Sequence, residues 1–130
     1  MITYYCDGSQ YNNKIGVGIA GNSIYQAIET DCHNWRSQVH EIVAITKAIE
    51  KAVKLSDDHI RIVNDDKHLI NAIRNKLQGK RTTLEKKDEF IRMMNLIEHY
   101  RVIVDTPKNE KDKKQIKKCH ELSRKFLNKF

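Results

Sequence analysis

The apolar residues of this chain change period once, dividing it into an opening third of strands and a remainder in which helices and strands alternate. Ile2 to Cys6 is rich in strand-forming Tyr, Ile and Thr and is expected to be a strand that stops at a turn, Asp7-Gly8-Ser9. Lys14 to Gly21 alternates glycine with Ile and Val, as in a strand whose one face is closely approached by another backbone. Ser23 to Thr30 completes an antiparallel meander. From Ser37 the spacing becomes helical, because Val39, Ile42, Val43, Ile45, Ala48, Ile49, Ala52 and Val53 mark one broad stripe.

His59 to Asn64 reads as a fourth strand with Asp65-Asp66 at its carboxyl end, followed by a helix from Lys67 to Leu77. Asp66 is read as the cap of that helix. A polar, basic connection from Gln78 to Lys87 leads to an amphipathic helix, Asp88 to Tyr100, with Phe90, Ile91, Met94, Leu96 and Ile97 as its apolar residues. Arg101 to Asp105 is the fifth strand. Pro107 then opens a charged loop, and Gln115 to Phe130 is expected to be a closing helix with Ile116, Cys119, Leu122, Phe126 and Leu127 facing inward. The expected fold is α/β: a five-stranded mixed sheet, three antiparallel strands and then two parallel ones, with helices on both faces. Residues 1–130 are expected to form one domain, since a chain of this length buries one core without staples.

The three cysteines, Cys6, Cys32 and Cys119, are widely spaced with no CxxC pair, which argues against a zinc ribbon or a redox dithiol and for free thiols. No window holds the roughly 18 apolar residues needed to span a bilayer, and no basic segment precedes an apolar run at the start. A cytoplasmic protein with no membrane partner is expected, acting as a monomer because no apolar stripe is left unassigned to the core. The formal net charge of +7 suggests a polyanionic partner.

Ligands of open α/β sheets bind at strand ends where the strand order reverses. Asp7 is expected to end the first strand and Asp65 the fourth, so parallel neighbouring strands bring the two carboxylates together. Such carboxylates repel unless a proton or a cation lies between them. Glu41, at the start of the long helix, points back to the same sheet end. Asp7, Glu41 and Asp65 thus form a candidate triad of oxygen ligands for Mg²⁺ or a similar hard cation.

Four segments resemble the type 1 ribonuclease H family. Tyr5-Cys6-Asp7-Gly8-Ser9 is similar to its first-strand motif, and His40-Glu41-Ile42-Val43-Ala44 to its Glu-containing helix start. Ile62-Val63-Asn64-Asp65-Asp66 resembles the strand ending in Thr-Asp-Ser, and Cys119-His120-Glu121-Leu122-Ser123 the closing helix motif. Spread over nearly the whole chain, the resemblance implies a ribonuclease H-like fold and an endonuclease that cuts the RNA strand of RNA/DNA hybrids with two Mg²⁺ or Mn²⁺ ions per site. It implies that Asp7 bridges both ions and that Glu41 and Asp65 hold the one nearer the leaving group.

The chain departs from that family in two places. His120 stands where a fourth acidic residue is expected, and a nitrogen donor there favours Mn²⁺ over Mg²⁺. The segment from Thr106 to Gln115 lacks the histidine that helps product release in the family, so turnover is expected to be slow. Asp105 is an unassigned strand-end carboxylate, read as solvated. Gly8, Ser9, Asn12, Asn13, Ser37 and Gln38 match positions that face the minor groove of the hybrid, and Lys80 and Arg81 lie in a basic stretch suited to the DNA strand. His33, His40, His59, His68 and His99 are read as surface residues and Trp35 as a packing residue. The competing reading is a catalytically weakened ribonuclease H-like domain that binds nucleic acid or a protein without cutting; another keeps catalysis but takes branched or single-stranded DNA.

Overall fold

The computed structural model describes residues 1–31, 39–56 and 58–125. The element order is β1 (Ile2–Tyr11), β2 (Lys14–Gly21), β3 (Ile24–Asp31), α1 (Val39–Leu55), β4 (Ile60–Val63), α2 (Lys67–Leu77), α3 (Asp88–Tyr100), β5 (Ile103–Asp105) and α4 (Glu110–Ser123). The strands form one sheet in the order β3-β2-β1-β4-β5. The β1–β2 and β2–β3 pairs are antiparallel, whereas β1–β4 and β4–β5 are parallel. This is the five-stranded mixed sheet, three antiparallel strands and then two parallel ones, expected from the sequence.

The alternation along each strand divides the core between two faces. Tyr4 and Cys6 of β1, Ile15, Val17 and Ile19 of β2 and Ile62 of β4 pack with the apolar stripes of α1, α2 and α3. On the opposite face Tyr5, Ala20 and Val63 pack with Ile116 and Cys119 of α4. No helix among the described residues is long and apolar enough to cross a membrane.

Several boundaries differ from expectation. β1 does not stop at Asp7 but runs on to Tyr11, pairing Asp7 with Gly18 and Ser9 with Gly16; the turn lies instead at Asn12 and Asn13, with Asn12 at φ 50°. β5 starts at Ile103 because Arg101 adopts the left-handed conformation that closes α3. α4 begins at Glu110 rather than Gln115, since the Asn109 side chain accepts from Asp112 N and the charged run behind it is helical. Within α3, Met93 occupies a buried position while Ile91 is exposed. Phe126 and Leu127 lie outside the described residues, as do Cys32, His33, Trp35, Ser37 and Gln38.

α4 lies close to the sheet because β2 presents two glycines beneath it. A Cβ on Gly16 would collide with the Ser123 carbonyl oxygen, and one on Gly18 with that of Cys119. The alternating glycines noted in the sequence therefore set the depth at which the last helix docks. Its N-terminal end is pinned by charge: Asp112, 2% exposed, accepts hydrogen bonds from Tyr5 Oη, Arg61 Nη2 and Lys108 N. Arg61 and its neighbour Arg74 also bind Asp105, at 3.0 and 2.9 Å. Asp105 is accordingly a partly buried structural carboxylate and not a solvated one, because two guanidinium groups converge on it.

Candidate metal centre

β4 is shorter than β1, and the difference makes the site. The parallel ladder ends at Tyr5 opposite Val63, so the edge of β1 beyond it has no strand neighbour. Into that gap comes the first turn of α1: Glu41 Oε1 accepts a hydrogen bond from Gly8 N at 2.5 Å. Gly8 is required there, since a Cβ would strike the His40 carbonyl oxygen. The same gap is spanned by Asn64, fully buried, whose Nδ2 donates to the Cys6 carbonyl oxygen and whose Oδ1 accepts from Asp66 N. Asn64 thus fixes the turn that carries Asp65, while Asp66 caps α2 by accepting from Leu69 N at 3.0 Å, as expected.

These constraints converge three carboxylates. Asp7 from β1, Glu41 from α1 and Asp65 from the end of β4 each offer one oxygen, and the three lie within 4.8 Å of one another. Asp7 and Glu41 are buried, whereas Asp65 is exposed and leaves the cluster open to solvent. Burial, reinforced by the charge of Asp7, pushes the Glu41 carboxyl up to about 9 against the opposing Gly8 N–H. Asp65 is raised by the same two causes in the same order. A set of oxygen donors whose ionised forms repel in this way fits a hard divalent cation, which removes the repulsion.

His120 reaches the cluster from the other face. Asp7 shares its strand face with Tyr5, beneath α4, and His120 Nδ1 is hydrogen-bonded to Asp7 Oδ2 at 2.8 Å. The His120 side chain is 56% exposed, and its Nε2 lies 3.5 Å from Arg124 Nη1. His120 therefore meets the triad through Asp7. Ser9, two residues along β1, donates its hydroxyl to the Ser123 carbonyl oxygen at 2.6 Å and ties the same end of α4 to the sheet.

The other sequence-predicted residues lie further off. Asn12 and Asn13 are exposed at the hairpin tip, and Asn12 stands five residues beyond Asp7, roughly 17 Å along the strand. Lys80 and Arg81 are exposed in the α2–α3 connection, where Arg81 borders a cleft of about 300 Å³ with His68, Asn71 and Asn75. Ser37 and Gln38 fall outside the described residues. Of the histidines read as surface residues, His59, His68 and His99 are exposed. His40 is instead half-buried, with Nδ1 unpaired, and burial lowers its pKa against the opposing charges of Asp7 and Asp66. Cys6 and Cys119 are free, buried thiols. Sequence reasoning missed Asn64, whose signal was an amide directly before the strand-end aspartate.

Solved structures share this fold. An RNase H1 from the halophilic archaeon Halobacterium salinarum NRC-1 matches at TM-score 0.72 and 13% identity, over 99% of this chain and 98% of that one. LC11-RNase H1, isolated from compost by a metagenomic approach and solved with an RNA/DNA hybrid, matches at TM-score 0.62 and 19% identity, over 98% and 99%. A foamy viral protease-reverse transcriptase solved with double-stranded DNA matches at TM-score 0.63 and 17% identity, over 94% and 93%. At these identities the likeness is one of fold. A comparison with curated proteins gave no match. The family model for RNase H, however, aligns with residues 1–123, which include Asp7, Glu41, Asp65 and His120, and the chain belongs to the RNase H family.

Proposed function

We propose that this protein is an endonuclease that hydrolyses the RNA strand of RNA/DNA hybrids, using two divalent cations, Mg²⁺ or Mn²⁺, held by Asp7, Glu41, Asp65 and His120. The observation that carries this reading is the convergence of three carboxylate oxygens within 4.8 Å, in a chain whose residues 1–123 match the RNase H family. Support for the substrate comes from the RNase H1 neighbour solved with a hybrid and from the net charge of +7, which suits a polyanion.

Divalent cations bound to these oxygens supply the Lewis acidity that activates water and stabilises the leaving oxygen of a phosphodiester. The chain's own part is to hold the ligands. Gly8 N fixes Glu41 and Asn64 fixes the turn carrying Asp65, whereas His120, bonded to Asp7 through Nδ1, becomes a ligand only by exchanging that bond for the cation. These contacts hold the carboxylates close together, as a shared cation requires. Gly8, Ser9, Asn12, Asn13, Ser37 and Gln38 present the polar contacts to the hybrid, and Lys80 and Arg81 follow the DNA strand. The protein works as one domain and as a monomer.

The test is a substrate panel: labelled RNA/DNA hybrid, duplex DNA and duplex RNA, each with Mg²⁺, Mn²⁺ or a chelator. Cleavage confined to the hybrid and abolished by chelation is expected. Cutting of DNA alone moves the substrate; hybrid binding without cleavage moves the chain to the binding-only reading.

A further inference from the structure

A cleft of about 310 Å³ opens beside the acid cluster, and its walls are Asp65, Lys67, Thr106, Pro107, Lys113 and Ile116. Ile116 is buried, Thr106 and Pro107 are half-buried, and the two lysines are exposed. Lys67 belongs to the first turn of α2, directly after the Asp65-Asp66 turn, and Lys113 to the first turns of α4. Lys113 leans on Glu110 at 3.6 Å, an exposed pair that solvent weakens and that a stronger anion displaces.

The charge of this cleft is opposite to that of the cluster it adjoins. A nucleic-acid strand carries one negative charge per nucleotide, so a strand delivering one phosphate to the acids places the next at the margin of the same site. Asp7, Glu41 and Asp65 repel that neighbour, and the nearby ammonium groups lining the cleft are those of Lys67 and Lys113. They come from two different elements, α2 and α4, and the Thr106 hydroxyl adds a polar group to the same lining.

We infer that Lys67 and Lys113 form a subsite for the backbone phosphate adjacent to the one presented to Asp7, Glu41 and Asp65. The subsite orients the strand across the acid cluster and offsets the repulsion that the carboxylates exert on it. This inference rests on the nuclease reading above and adds the positions that hold the neighbouring phosphate.

The test uses Lys67→Gln, Lys113→Gln and the double variant of the full chain, with Lys54→Gln at the far end of α1 as a charge-matched control. Binding of a fluorescent RNA/DNA hybrid is measured with chelator present across a salt series, and thermal melts establish that each variant is folded. The slope of log Kd against log salt is expected to fall by about one unit per lysine lost from the cleft, with Lys54→Gln unchanged. In cleavage assays the double variant is expected to raise KM with kcat largely retained. If the double variant and Lys54→Gln keep the same slope while the unaltered chain binds and cuts the hybrid, the subsite is wrong and the nuclease reading stands. If the unaltered chain neither binds nor cuts hybrid, both fall together.

Discussion

His120 Nδ1 stands 2.8 Å from Asp7 Oδ2, so α4 hydrogen-bonds a carboxylate on β1. That hydrogen bond depends on Gly16 and Gly18, which let α4 settle onto β2. Removing the imidazole leaves Asp7 without its partner, and His120→Ala is expected to weaken divalent-cation affinity by roughly 10–100-fold. Titration of the folded variant by calorimetry measures it, and an unaltered affinity would return His120 to the surface.

The nitrogen of His120 also sets a preference. Imidazole suits transition metals better than Mg²⁺. The native chain is expected to turn over faster in Mn²⁺, and His120→Asp to shift the balance toward Mg²⁺. Equal or greater turnover of the native chain in Mg²⁺, at matched saturation, contradicts this.

The raised Glu41 carboxyl makes the cation-free protein sensitive to pH. Glu41 holds its proton up to about 9 when folded, against 4.5 for an unperturbed glutamate. Between those values the unfolded chain has lost a proton that the folded chain keeps, so stability is full below pH 4.5 and declines as pH rises toward 9. Asp65, raised in the same direction, adds to the decline. Thermal melts in chelator are expected to show Tm falling over this window, less steeply for Glu41→Gln. Divalent cation is expected to raise Tm more at pH 8 than at pH 5. A cation effect independent of pH would show that the carboxylates are not its ligands.

The close docking of α4 predicts that Gly18→Ala is more damaging than an exposed glycine substitution, by about 1–3 kcal/mol or more, because the new methyl meets the Cys119 backbone carbonyl and not a movable side chain. Gly79→Ala, where nothing lies within 4 Å but φ is +79°, serves as the comparison for backbone strain alone. Urea midpoints read the difference, and similar shifts for both would mean that α4 can move away freely.

At the other end of α4, Asp112→Ala removes a carboxylate that is 2% exposed and leaves Tyr5 Oη, Lys108 N and Arg61 Nη2 without their acceptor, while Arg61 Nε keeps Asp105. A loss of about 3–5 kcal/mol is expected, against about 1 kcal/mol for Tyr5→Phe, which removes one hydrogen bond. Comparable small losses for both would show that the buried Arg61–Asp112 pair does not anchor the helix.

The sequence made the β2, α2 and α3 boundaries legible because each element carries its own period and stop signals. Asp7-Gly8 misled because a glycine after aspartate usually marks a turn, whereas here Gly8 makes room for the His40 backbone in mid-strand. The start of α4 was hidden by the density of charge after Pro107, although Asn109 followed by Glu110 and Asp112 is a helix-start pattern. The three carboxylates were readable because the end of β4, the start of α1 and the parallel pairing of β1 with β4 pointed to one place, even though Asp7 lies within β1 and not at its end. The supports of the site were not: Asn64, the glycines beneath α4 and the Arg61–Asp112 pair act between segments distant in the chain, and no local pattern records such contacts.

The central claim is that Asp7, Glu41 and Asp65 hold the cations that cut the RNA strand of a hybrid. Its most direct test is single-turnover cleavage of a labelled RNA/DNA hybrid by the native chain and by Asp65→Asn, whose exposed side chain can change without disturbing the core. Metal-dependent cleavage by the native chain and its loss, by roughly a thousandfold or more, in the folded variant is the predicted result. Cleavage that survives Asp65→Asn, or a folded native chain that leaves the hybrid intact in both Mg²⁺ and Mn²⁺, would contradict it.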